Sequence, residues 1–224
     1  MKMRRSDKQI KRELTTGMAG VFLTAIALRL LSPLIAGFVP SSMVPFANTL
    51  AGYSLMLVPL ILMLRSKTDL SDYGITTQHL PQQISTGILI GLGMGCVLSL
   101  LPMALGLKQL VYTGSGYHSA SEALVRLAYY VFVIGVVEEF IFRGFAYHHL
   151  KEVCLSDLIP ILLSSALFGL LHFTGLNFIQ ILTTGLIGAF FCICREKIPN
   201  CTLLSLAIAH GLHDWLIRIC ATIF

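Results

Sequence analysis

Apolar runs of about twenty residues recur from one end of this sequence to the other, separated by short polar stretches. A run of that length forms a helix that crosses roughly 30 Å of hydrocarbon. In lipid the backbone must satisfy its own hydrogen bonds, which leaves the helix as the natural spanning element for such a run. The chain is 55% hydrophobic and only 12% charged, about half the charged share of a soluble domain. The expected fold class is all-α: a polytopic transmembrane helical bundle of about seven spans, with six or eight as neighbouring counts. The runs fall at 14–39, 43–64, 84–105, 124–147, 158–173, 178–194 and 202–223. The fifth and sixth are short, and Pro33 and Pro40 are candidate breaks in the first.

Basic residues set the expected orientation. Lys2, Arg4, Arg5, Lys8, Lys11 and Arg12 all precede the first apolar run. Residues 1–13 therefore read as a basic cytoplasmic N-terminal segment, and 14–224 as a single transmembrane helical domain. Arg65, Lys67, Lys151, Arg195 and Lys197 fall on the same side as the head, while Lys108, Arg126 and Arg218 fall opposite. The bias predicts an N-in, C-out integral membrane protein, and the compact length and basic head point to a bacterial inner (plasma) membrane. The lipid bilayer is thus a partner. Nucleic acid is not expected to be one, because no aromatic platform or basic domain accompanies the head. The first run is too long for the apolar part of a cleaved signal. None of the six cysteines forms a CxxC pair, and most read as small buried hydrophobes. Gly87, Gly91 and Gly95 repeat every four residues, a spacing that lets helices approach closely. Asn177 reads as a turn or cap residue at the start of the sixth run.

Against this apolar background a few polar residues stand out. The stretch VVEEFIFRGF sets Glu138 beside Glu139 and follows them with Arg143. An ionisable side chain at mid-bilayer costs about 2.5 to 3.5 kcal/mol, so such residues need partners and mark function. Glu139 and Arg143 stand at i and i+4 and are placed to pair. Glu138 is offset by about 100° around the helix, without an obvious local partner. A carboxylate in an apolar setting holds a proton more tightly, which suits a general base or acid. Two further runs carry polar groups: Phe168 and His172 at i and i+4, and His210 and Asp214 at i and i+4 with His213 between them. A lone histidine in an apolar helix is usually a satisfied core residue. Three runs that each carry acid or imidazole groups are not readily explained that way. Counted from the cytoplasmic ends, Glu138, His172, His210 and Asp214 all fall about 16 to 22 Å deep. His148 and His149 follow the glutamate run and read as ordinary interfacial histidines.

The ordered set Glu138-Glu139-x-x-x-Arg143, Phe168-x-x-x-His172 and His210-x-x-x-Asp214 resembles the CPBP family of intramembrane proteases, which covers CAAX proteases and bacteriocin-processing enzymes and is also called the Abi family. The resemblance extends over residues 124–223. It implies peptide-bond hydrolysis within the membrane, with Glu138 activating water and His172 helping to hold or protonate. It implies that His210 and Asp214 complete the polar pocket, and that Glu139 and Arg143 organise it. Many members carry asparagine where Asp214 stands, and an ionised aspartate cannot donate a hydrogen bond to an oxyanion; Asp214 instead suits orienting His210 or binding a cation. No cofactor is firmly implied. Two histidines and two or three carboxylates are ligands that a divalent metal such as zinc accepts, but no HExxH is present, and the expectation leans to glutamate-activated water. The expected partner is a membrane-anchored peptide or protein substrate. Peptide or C-terminal sorting-tail processing ranks ahead of prenylated CAAX tails. Two other classes compete: a bacteriocin immunity or interaction protein without required proteolysis, and a proton-conducting transporter. The latter predicts paired broken helices or an inverted repeat, and the sequence has neither signature.

Overall fold

The computed structural model describes residues 5–66, 68–112, 114–175 and 178–224. Lys2, Arg4 and Lys67, used above for orientation, and the turn residue Asn177 lie outside the described residues. In chain order the helices are α1 (Asp7–Phe38), α2 (Val44–Leu55), α3 (Leu57–Ser66), α4 (Leu80–Ala104), α5 (120–153), α6 (Leu158–Leu171), α7 (Phe178–Lys197) and α8 (Leu203–Ile223). The protein is all-α, with no strand among the described residues.

Local chemistry explains most boundaries. α1 starts at Asp7, whose charge suits a helix N-terminus, and continues through Pro33. α2 and α3 form a pair bent by 41°. Pro59 cannot donate to the carbonyl of Leu55, and its ring crowds it, so the ladder breaks there. Four helices among the described residues are long and apolar enough to cross a membrane, or five if the bent pair is one span. About seven were expected. Part of the difference lies in α6, which at 14 residues reaches only about 21 Å. Part lies in α5, which is helical throughout but is divided into short segments.

The chain divides into two compact units. The first takes Met1–Ile75 and Phe140–Lys197. Within it α6 packs along α7, and α1 lies against α3 and the last turns of α5. Its core is aromatic: Phe142, Phe145, Tyr147, Phe168 and Phe191 are all buried. Arg5 donates to Glu13 at 2.6 Å and to Glu152, and so ties the chain start to the end of α5. Burial works against the charge of Glu152. Hydrogen bonds and charges from His148 and Arg5 outweigh it and hold that carboxyl below its ordinary pKa.

The second unit takes Thr76–Glu139 and Ile198–Phe224. Here α8 packs along α4. The glycine stripe is the contact face: a Cβ on Gly87 would stand 2.5 Å from the Ser205 carbonyl, and one on Gly91 2.9 Å from that of Ala209. Such approaches suit helices that have no solvent-driven force between them. A buried polar clip fixes the start of α8. Thr202 Oγ1 donates to Gln83 Oε1 at 2.5 Å, and Ser205 Oγ donates to the Gln83 carbonyl at 2.8 Å. Thr202 and Ser205 also form a capping box that begins the helix.

Candidate active site

The glutamates stand on an irregular stretch of helix. α5 opens with Ser119, whose hydroxyl accepts from the Glu122 backbone N–H at 3.1 Å, an ordinary N-cap. It then widens to π geometry at Tyr130–Gly135 and again at Phe140–Ala146. A single α-turn, Val136–Glu139, lies between the two widened segments and carries both glutamates. π segments inside α-helices are rare and gather at functional places. Nothing in the apolar pattern of this run distinguishes i→i+5 from i→i+4 bonding, so the sequence did not reveal them.

Four of the six expected residues meet inside the second unit. Nδ1 of His210 donates to Glu139 Oε1 at 2.7 Å. Its Nε2 lies 3.7 Å from Glu138 Oε2 and 3.6 Å from Asp214 Oδ2. His213, also buried, places Nδ1 3.6 Å from Asp214 Oδ1. One imidazole is thus ringed by three carboxylates. The two glutamates differ in environment: the Glu139 side chain is wholly buried, whereas that of Glu138 keeps 15% of its surface and that of Asp214 keeps 29%. The sequence reading tied Glu139 to Arg143 and did not foresee His210 as its partner, because that contact joins residues 71 positions apart.

Arg143 and His172 belong to the first unit. Arg143 is fully buried, with its guanidinium carbon 4.1 Å from the Phe168 ring centre and 5.4 Å from that of Phe191. Gly188 makes the room, since a Cβ there would stand 3.1 Å from the guanidinium. His172 caps α6, donating from Nδ1 to the Phe168 carbonyl at 3.0 Å, with its ring edge-on to Phe168. Phe168 therefore touches both Arg143 and His172. Sequence spacing named Phe168 only as a motif position, and it offered no signal for Phe191 or Gly188. His149 is buried and donates to the Phe145 carbonyl at 2.8 Å, an internal tie at the end of α5.

The fit to a metal can be judged from the same distances. Among the described residues no group of three or more His, Cys, Asp and Glu side chains is gathered so as to hold a metal ion. His210 instead spends Nδ1 on Glu139.

Residues 120–216 match the family model described as type II CAAX prenyl endopeptidase Rce1-like. This part of the chain is similar to that family. The matched segment begins at the start of α5 and ends two residues past Asp214, so it encloses all six expected residues. It agrees with the CPBP resemblance drawn from the three motifs and supports intramembrane endopeptidase activity in general. With the long apolar helices, the match supports an integral membrane protein. α1 to α4 lie ahead of the matched segment. No curated protein and no solved structure matches the chain significantly.

Proposed function

We propose that the chain is an intramembrane endopeptidase in which Glu138 takes a proton from the water that attacks a peptide bond. The observation that carries this reading is the asymmetry of two adjacent glutamates. Glu139 is wholly buried and bound to His210, while Glu138 keeps some exposure beside the same imidazole. A carboxylate that is held but reachable suits a general base. The water oxygen bonds to the carbonyl carbon as its proton passes to Glu138, and the carbonyl π pair moves onto oxygen. Collapse of that intermediate breaks the C–N bond, and the proton returns from Glu138 to the departing amine.

His210 keeps Glu139 in place and adds positive character beside the reacting groups when protonated. Asp214, 3.6 Å from His210 Nε2, suits orienting the imidazole better than donating to an oxyanion. The motif resemblance assigns His172 to hold or protonate.

The substrate we favour is a membrane-associated peptide or the C-terminal tail of a surface protein, met in a bacterial inner membrane with the N-terminus inside. The Rce1-like description names CAAX prenyl endopeptidases, and a prenylated tail is the second substrate class. The test compares membrane polypeptides by mass spectrometry in cells with the wild-type and the Glu138→Gln protein. An uncut species should accumulate in the mutant, and a prenyl group on it would select the second class. Identical profiles, with the mutant protein correctly inserted, would overturn the reading.

A further inference from the structure

We infer that Arg195 is a positioning residue for the motif helix, holding Arg143 in place by binding its carbonyl. The inference rests on the endopeptidase reading for its functional consequence, but its geometry lies entirely within the first unit.

Arg195 occupies the last turn of α7. A basic side chain there has an ordinary explanation, since it complements the negative end of the helix and suits a cytoplasmic membrane border. The contacts it makes are more specific. Nη1 donates to the backbone carbonyl of Arg143, in the middle of the widened segment Phe140–Ala146. Nη2 donates to the carbonyl of Asp72 at 3.1 Å. The guanidinium carbon lies 5.6 Å from the Tyr147 ring centre, one turn further along α5. Gly74 closes the arrangement: it has φ +85°, and a Cβ on it would stand 3.0 Å from Nη2. One planar fork thus bridges the 69–75 loop, α5 and the end of α7.

A fork with fixed geometry can serve two carbonyls at once, whereas an ammonium is a point charge on a flexible stem. A widened helix is an alternative packing of the same segment, and an external donor to a carbonyl in its middle favours one register. Arg143 is the residue so held. Its side chain fills the slot between Phe168 and Phe191, so a shift of its backbone would draw the guanidinium off those rings. Arg195 touches no reacting group in this scheme. It acts through Arg143.

The test uses the full-length protein in lipid nanodiscs as wild type, Arg195→Ala, Arg195→Lys and Glu138→Gln. The probes are a quenched-fluorescent peptide with an apolar C-terminal tail and the same peptide ending in a farnesylated CAAX sequence. Arg195→Ala should lower kcat roughly 10- to 100-fold, the scale of a misplacement transmitted from outside the reacting groups, with KM changed less than about twofold. Arg195→Lys should recover only part of the loss. Hydrogen–deuterium exchange should rise over residues 140–147 in Arg195→Ala, and less in Arg195→Lys. Full rescue by lysine would reduce Arg195 to a charge at the membrane border and overturn the inference. Unchanged exchange over 140–147 in Arg195→Ala overturns it too, whether or not either peptide is cut. Wild-type cleavage by Glu138→Gln, by contrast, sinks the endopeptidase mechanism and leaves the exchange result standing.

Discussion

The Arg143 guanidinium lies 4.1 Å from the centre of the Phe168 ring, and both side chains are buried. The arginine of the first motif and the phenylalanine of the second are therefore partners. The π face attracts the cation where water cannot, a contact worth about 2 kcal/mol or more when desolvated. His172 lies against the same ring, so Phe168 sets the surroundings of two motif residues at once.

Replacing that ring with an aliphatic side chain tests the partnership. Phe168→Leu should destabilise the protein by about 2 kcal/mol and lower cleavage along with it, because a buried guanidinium loses the nearer of its two aromatic faces. Thermal unfolding in detergent reads the first effect. A melting point equal to wild type would mean that the aromatic face contributes nothing.

The two adjacent glutamates should separate by phenotype. Glu139→Ala leaves the His210 N–H without its carboxylate acceptor in a buried place, at a cost of about 1 to 3 kcal/mol. Glu138→Ala, at a partly exposed position, should leave stability within about 0.5 kcal/mol while abolishing cleavage. Unfolding curves and a peptide-cleavage assay on both variants decide this. Equal destabilisation by the two substitutions would contradict the division of roles.

Two glycines of α4 make a paired test of its packing. A Cβ on Gly91 meets backbone atoms of Ala209, whereas one on Gly93 meets nothing within 4 Å. Gly91→Ala should cost about 1 to 3 kcal/mol through overpacking. Gly93→Ala should be neutral or stabilising by up to about 1 kcal/mol, since alanine is the better helix former. Reversal of that order would show that α4 does not use this face.

Acid should loosen the chain start. Glu152 has a folded-state pKa below its ordinary value of 4.5, because hydrogen bonds and charges from His148 and Arg5 outweigh the cost of burial. A depressed carboxylate contributes stability in full above its unfolded pKa and loses it as the pH falls through the lower, folded value. The difference in melting temperature between wild type and Glu152→Gln should therefore be largest near neutrality and shrink below about pH 4.5. Arg5→Ala should shrink the same difference at neutral pH. A gap that widens on acidification would contradict the assignment.

Local periodicity and hydropathy made the all-α class readable, because a run such as 202–223 has no other stable form in lipid. The motif residues were legible for the same reason, since carboxylates and imidazoles are conspicuous among valine and leucine. Partners remote in sequence were not legible. That Glu139 meets His210 depends on how α5 and α8 pack, and i,i+4 reasoning sees only one helix at a time. The widened segments of α5 carry no compositional mark. The fifth run already read as short, and its helix is shorter still, ending at Leu171 with His172 as its cap. Arg195 read as a topology signal, because a sequence reports the charge of a guanidinium and not the two carbonyls it reaches.

The most direct measurement is the cleavage rate of purified protein in lipid nanodiscs, wild type against Glu138→Gln, on a substrate polypeptide that accumulates in the mutant cells. The account predicts cutting at one site by wild type and none above background by Glu138→Gln, with both proteins unfolding at the same temperature. Cutting by Glu138→Gln at the wild-type rate would contradict it.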